Sequence, residues 1–321
     1  MQEVTQKPTI ISEAADPLVA AAYRAEAWAG EPFLREGEDA EQVLARGTAR
    51  RIALDEALAE IEAGLAAPSP DWKVRFGLML GLERILAEPE PRTASGTPLR
   101  RHQVDALAGM LTELIAATQR AEEQNGNGHT ATAEELAEQE AEDDDEDETL
   151  VVQADTEDDV EDTDEPSPAD DPGAVRRYRF RHPTASGKTI AAAGFVEAAR
   201  TLGVLILTHR RLLVAQFTRD LTTEGYGSRL TAAVERGERP LRPNPLTIQT
   251  YAWFARHVGS IDRDAYQLVI CDEAHTALGE KTSAAIRSFP EPIYIGMTAT
   301  EQLIAKQVSD VFPASVAVMP M

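Results

Sequence analysis

His182-Pro-Thr-Ala-Ser-Gly-Lys-Thr189 lies between a β-type run, Arg177 to Arg181, and an apolar helical run, Ile190 to Ala199. Strand, glycine-bearing loop and helix in that order form a phosphate cradle: successive backbone N–H groups of the loop face inward, and the helix N-terminus adds partial positive charge. Gly187 lets the main chain approach the phosphates, with Thr184, Ala185 and Ser186 forming the rest of the turn. Lys188 then places an ammonium on the β- and γ-phosphates, and the Thr189 hydroxyl is a candidate magnesium ligand. The implied ligand is a nucleoside triphosphate with Mg2+.

Downstream, Leu268-Val-Ile-Cys271 is a short β-branched and apolar run that reads as a buried parallel strand ending in Asp272-Glu-Ala-His275. A strand end that delivers two adjacent carboxylates supplies both acidic functions of phosphoryl transfer. Asp272 is expected to hold the metal and Glu273 to orient the attacking water. Either string alone is commonplace; both at strand ends in this order make a nucleotide site.

The chain has 321 residues and a formal net charge of −24, very unevenly spread. From Ala121 to Pro172 there are 23 Asp or Glu residues and no Lys or Arg, so the remainder is nearly neutral and need not repel a polyphosphate. The single cysteine, Cys271, excludes a disulfide within the chain, and the six histidines lack metal-site spacing. No apolar run approaches the ~20 residues of a membrane span, and the start Met1-Gln-Glu-Val-Thr5 lacks a signal peptide's basic and apolar regions. A cytoplasmic location with no membrane partner is expected.

Residues 1–98 read as a helical module and linker. Stripes at Ile52, Leu54, Leu58, Ile61 and Leu65, and at Trp72, Val74, Phe76, Leu78, Leu82 and Ile85, predict three or four helices, and Pro91 to Gly96 reads as the linker. Leu99-Arg-Arg-His-Gln103 opens a further helix running to about Gln119, with Val104, Leu107, Leu111, Leu114 and Ile115 inward. Residues 121–172 hold too few apolar side chains to offset chain entropy and are expected to be disordered. Removing them shortens the Gln103-to-Gly187 spacing from 84 to 32 residues, as for an insertion within one domain. The insertion reads as a solubilising loop or as a nucleic-acid mimic, with Arg176, Arg177, Arg179 and Arg181 as intramolecular partners.

From residue 173 on, strands and helices alternate: Val204 to Thr208, the helix Arg211 to Leu221, Leu246 to Thr250, Leu268 to Cys271 and Ile293 to Met297. The fold class is therefore α/β, a parallel sheet with flanking helices. Each strand ends in polar residues: Thr208, His209 and Arg210; Thr250 and Tyr251; Thr298 to Thr300. In open α/β sheets ligands bind beyond the carboxyl ends of the strands, so these tips should share one edge with Lys188 and Asp272.

The order of these motifs resembles the superfamily 2 helicases and translocases, over about residues 99 to 300 apart from the acidic insertion. Leu99-Arg-Arg-His-Gln103 is similar to the family's adenine-side motif, Pro183-Thr-Ala-Ser-Gly-Lys-Thr189 to motif I, and Thr208-His-Arg-Arg-Leu-Leu-Val-Ala-Gln216 to motif Ia. Thr247-Ile-Gln-Thr-Tyr251 is similar to motif Ib, Asp272-Glu-Ala-His275 matches motif II, and Gly296-Met-Thr-Ala-Thr300 is similar to motif III. The resemblance implies a RecA-like ATPase lobe at residues 173–321 together with the 99–120 helix. It further implies adenine contacts from Arg100 and Gln103, nucleic-acid contacts from Thr208, His209, Arg210 and Thr250, and coupling by His275, Thr298 and Thr300. By motif flavour the nearest relatives are restriction-enzyme translocase subunits and DNA repair helicases, which implies DNA rather than RNA as the track.

Two departures qualify that resemblance. Ala185 stands where the motif usually has glycine, and is tolerated only at negative φ. Only 21 residues follow Thr300, whereas a second RecA-like lobe needs on the order of 150 residues, about one further domain. The expectation is a fragment or truncated product that needs a separately encoded second lobe and does not unwind a duplex alone. The competing expectation is a non-catalytic regulatory module that binds ATP or DNA and uses its acidic loop for interaction.

Overall fold

The computed structural model describes residues 16–126, 171–181, 188–238, 240–277, 279–298 and 311–316. Six parallel strands form one sheet among these residues: β1 (Arg177–Arg181), β2 (Val204–Thr208), β3 (Leu246–Thr250), β4 (Leu268–Asp272), β5 (Ile293–Thr298) and β6 (Ala314–Val316), in the order β3-β2-β4-β5-β1-β6. The first five are the strands expected from the sequence. The helices are α1 (Pro17–Ala29), α2 (Ala40–Val43), α3 (Ala49–Glu62), α4 (Pro70–Trp72), α5 (Leu78–Leu86), α6 (Arg101–Gly126), α7 (Lys188–Ala198), α8 (Arg211–Leu221), α9 (Tyr251–His257) and α10 (Glu280–Arg287). Among the described residues no helix is long and apolar enough to cross a membrane.

The central strands are apolar on both faces because each face has its own core. Val204, Ile206, Leu268, Ile270, Ile293 and Ile295 point to the side where α5, α6 and α7 pack. Leu205, Leu207, Val269, Cys271 and Tyr294 point to the side of Phe254 from α9 and Ile286 from α10. The side-chain period of two along a strand thus feeds two cores at once. β1 alternates chemically instead: Tyr178 and Phe180 enter the first core, where Phe180 meets Phe195 of α7 at 5.5 Å, while Arg177 faces the other way. Arg177 is fully buried and donates to Asp171 (2.7 Å) and to the Val311 carbonyl (3.3 Å).

Local sequence explains several helix starts. Asp16, Thr48, Ser69 and Thr250 each accept a backbone N–H of the first turn that follows, and Pro17 and Pro70 occupy first-turn positions where a missing N–H is harmless. α4 continues through a π-helical turn, Lys73–Gly77, into α5. Trp72 centres the N-terminal core, with Trp28 edge-on at 5.3 Å and Phe76 at 5.6 Å.

The N-terminal helices are not hung on a free linker. Gly81 of α5 lies so close to α7 that an added Cβ would sit 1.8 Å from the Ala198 carbonyl oxygen. Around this crossing, buried Glu31 accepts from Arg84 (2.8 Å) and Arg200 (2.9 Å), and Arg84 also donates to the Glu197 carbonyl. Pro91 to Gly96, read as a linker, is a bridged turn in which Arg92 pairs with Pro98. Thr93 and Ser95 each donate to Glu224 Oε2 at 2.7 Å. Hydroxyl side chains close enough to bond a remote carboxylate turn an apparent spacer into a strap.

Three further boundaries differ from expectation. α6 continues past Gln119 at least to Gly126, because Ala121-Glu-Glu-Gln124 are helix formers. Asp171, counted within the acidic insertion, is tied to Arg177 and lies 3.5 Å from Arg287, so that end of the insertion is anchored. β6, only three residues long, carries no readable period. The expected disorder of the insertion falls on residues 127–170, outside the described residues, as do loop residues 182–187 and the segment 299–310 with Thr300.

Candidate functional site

Parallel pairing brings the polar strand ends to one edge at one level. Thr208 is in register with Thr250, Leu207 with Cys271, and Asp272 with Met297. Met297 is in turn level with Phe180, and Thr298 with Arg181. The helix beginning at Lys188 and Thr189 starts beyond this same edge, seven residues after the end of β1. β4 and β1 are separated by β5 alone, so the ends of these two strands stand about two strand spacings, ~10 Å, apart across the sheet. Thr184, Ala185, Ser186 and Gly187 lie outside the described residues.

Asp272 is 4% exposed, which a carboxylate tolerates only with partners. Thr208 Oγ1 donates to its Oδ2 at 3.3 Å, and the Tyr251 hydroxyl donates to its main-chain carbonyl at 2.8 Å. Glu273 follows with φ +49, a left-handed conformation that costs a non-glycine residue about 1–3 kcal/mol and turns the chain sharply away from β4. The turn enters a 3-10 segment, Ala274–Ala277, that packs against β5. Gly296 makes room for it: a Cβ there would lie 3.1 Å from the Ala274 methyl. The result places His275 Nδ1 3.2 Å from Thr298 Oγ1 and 3.4 Å from Glu273 Oε2.

The neighbouring groups are electrostatically quiet. Burial pushes the Cys271 thiol up to about 12, partly offset by the Tyr251 hydrogen bond, so it is neither a nucleophile nor a thiolate ligand at neutral pH. Burial likewise holds the Tyr251 hydroxyl well above its usual range, with Cys271 and Asp272 adding to the effect, and keeps it a neutral donor. Among the described residues no cluster of three His, Cys, Asp or Glu side chains forms a metal cage. Hard oxygen donors, the Thr189 hydroxyl and the Asp272 carboxylate, instead suit Mg2+, which commonly keeps waters and phosphate oxygens as its other ligands.

The remaining expected site residues divide by burial. His209 and Arg210 are exposed just beyond β2, and Thr250 is half-buried at the start of α9, whose first turn it caps through Trp253 N–H at 3.2 Å. Thr208, grouped with them as a nucleic-acid contact, is fully buried and donates to Asp272. Arg100 is exposed, whereas Gln103 is 2% exposed and its Oε1 accepts the Arg100 backbone N–H at 2.8 Å. Reading both a donor and an acceptor on an adenine edge would require that cap to open. The sequence reading passed over the contact of Tyr251 with Asp272; the only signal for it was an aromatic residue directly after a strand-end threonine.

A family model described as type III restriction enzyme, res subunit, matches residues 97–303, more than half of the chain. No curated protein matches it. Similar solved structures include a hypothetical ATP-dependent RNA helicase from Sulfolobus tokodaii, 20% identical over 45% of this chain and 48% of that one, with a TM-score of 0.34. The UvsW helicase from bacteriophage T4 is 15% identical over 44% of this chain and 54% of that one, with a TM-score of 0.33. The Hef helicase domain from Pyrococcus furiosus is 20% identical over 46% of this chain and 35% of that one, also at 0.33. The chain thus spans about half or less of the length of these structures.

Proposed function

Because the chain belongs to the family described as type III restriction enzyme, res subunit, we propose that it is the ATP-binding lobe of a DNA helicase or translocase. In this reading the 182–187 loop and Lys188 hold the triphosphate, and Thr189 and Asp272 hold Mg2+. Bound Mg2+ would neutralise charge on the β- and γ-phosphates. Glu273 accepts a hydrogen bond from the attacking water and orients it. Thr208 aims the Asp272 carboxylate by donating to it. Arg100 and Gln103 flank the base, and His275, Thr298 and Thr300 relay nucleotide state. His209, Arg210 and Thr250 contact the nucleic-acid backbone, with DNA preferred over RNA. A second RecA-like lobe would complete the cleft.

The observation that carries this reading is the shared edge: Asp272, Thr298 and Thr250 stand at the carboxyl end of one parallel sheet, where α/β folds bind ligands, and α7 follows the strand β1 of the same sheet. The test is a titration of fluorescent Mg–ATP followed by phosphate release with and without thymidine or uridine oligonucleotides. Lys188→Ala is expected to lower turnover by on the order of 10²-fold or more, as for other lost charge-stabilising donors. Equal turnover in the two proteins would overturn the assignment, and tight nucleotide binding with no turnover under any condition would identify a regulatory module instead.

A further inference from the structure

β3 does not touch β4; β2 lies between them. Tyr251, the first residue of α9 after β3, nevertheless reaches across, and its hydroxyl donates to the carbonyl of Asp272 at 2.8 Å. That carbonyl belongs to the peptide unit joining Asp272 to Glu273. The orientation of this unit sets the direction in which Glu273 leaves the strand, at φ +49. A left-handed glutamate has alternatives of lower local energy, so a bond that fixes the preceding peptide plane selects its conformer.

The other end of the connection is equally short. Thr250 immediately precedes Tyr251 and caps α9 with its hydroxyl. Tyr251 is 4% exposed and packs in the core that contains Phe254 and Cys271, so its ring has little freedom to move independently of the β3 tip. A shift of Thr250 is therefore delivered to the Asp272–Glu273 peptide through one rigid side chain.

We propose that Tyr251 is a positioning residue that couples occupancy of the nucleic-acid track at Thr250 to the orientation of the water-holding Glu273. The inference rests on the functional reading above and deepens it. Binding of a phosphodiester strand at Thr250 moves the start of α9; the Tyr251 hydroxyl carries that movement to the Asp272 carbonyl, and Glu273 changes its aim. The two ligands then influence each other's affinity by the same factor, as linkage requires.

The experiment is a thermodynamic cycle on the full chain: the affinity of a fluorescent, non-hydrolysable Mg–ATP analogue with and without a saturating thymidine oligonucleotide, and the reverse. The natural chain should show mutual tightening of about 5- to 150-fold, the usual span of such coupling. Tyr251→Phe deletes only the hydroxyl and should bring the factor close to one while each ligand still binds alone. Tyr266→Phe is the control, since it removes a buried hydroxyl bonded to Thr247 and to the Val234 N–H, at the opposite end of β3; coupling should persist. Unchanged coupling in Tyr251→Phe, or equal loss in Tyr266→Phe, overturns the inference. So does a natural chain that binds both ligands independently, although the nucleotide reading then stands. A natural chain that binds no nucleotide removes that reading and the inference together. If Tyr251→Phe melts too low to titrate, hydrogen exchange of residues 271–275 in the natural chain decides: altered protection on adding the oligonucleotide alone is expected, and no change refutes the coupling.

Discussion

Substitution of Gly81 by alanine separates local helix propensity from tertiary packing, because the two predict opposite signs. Gly81 sits inside α5, where replacing glycine by alanine ordinarily stabilises a helix by roughly 1 kcal/mol. In the folded chain, however, the new Cβ would lie 1.8 Å from the Ala198 carbonyl oxygen and 2.8 Å from its carbon, against an ordinary contact of 3.4 Å or more. The obstacle is backbone in the last turn of α7, so no side-chain rotation relieves it. The helices must separate by more than 1 Å at their crossing, which loosens the packing around Leu78, Leu82 and Val196 and the Arg84–Glu197 contact. Overpacking of this kind typically costs 1–3 kcal/mol, and a clash with main chain belongs at or above the top of that range, ~3 kcal/mol. After the propensity gain, a net loss of about 2 kcal/mol remains, or roughly 4–8 °C in melting temperature for a domain of this size. Thermal denaturation followed by circular dichroism measures it, with Gly259→Ala as control because nothing lies within 4 Å of a Cβ there. A Gly81→Ala protein that melts at or above the natural temperature would refute the close crossing, and with it the integration of the N-terminal helices into the ATPase core.

Three further outcomes follow from ionisation. Burial raises the Glu38 carboxyl, but hydrogen bonds from Arg35 and Arg50 outweigh it and hold the group at about 2, below its ordinary 4.5. A depressed carboxyl contributes stability that is present above pH 4.5 and lost as pH falls towards 2; the urea midpoint should therefore drop across that window, and Glu38→Gln should flatten the drop. Glu31 acts in the opposite sense: burial raises it despite Arg84 and Arg200, so its contribution declines as pH rises through the folded value. The Cys271 thiol, fully buried and pushed up to about 12, should resist a thiol reagent in the native protein at mild alkaline pH and react once the chain is denatured. Rapid labelling of the native state would show that β4 is not the closed central strand described.

The five longer strands and their direction were legible in sequence because buried parallel strands are bounded apolar runs, and runs such as Val204 to Leu207 and Leu268 to Cys271 declare themselves locally. The reading failed where a residue's role depends on a neighbour distant in the chain. Thr93 and Ser95 look like spacer residues until Glu224, about 130 positions away, is beside them.

The candidate site divides in the same way. Sequence alone singled out the candidate groups, Asp272, Glu273, His275 and Thr298 at or just after strand ends and Lys188 and Thr189 at the start of α7, because motif spacing along a strand–loop–helix unit is a local property. Only the tertiary structure decided the lateral order β3-β2-β4-β5-β1-β6, and with it which tips touch. That order buries Thr208 against Asp272, sends Tyr251 over β2 to the Asp272 carbonyl, and sets His275 between Glu273 and Thr298. Strand order is settled by which helix covers which face and by the close approaches allowed at Gly81, Gly203 and Gly296, packing terms summed over the whole domain that no short window of sequence contains.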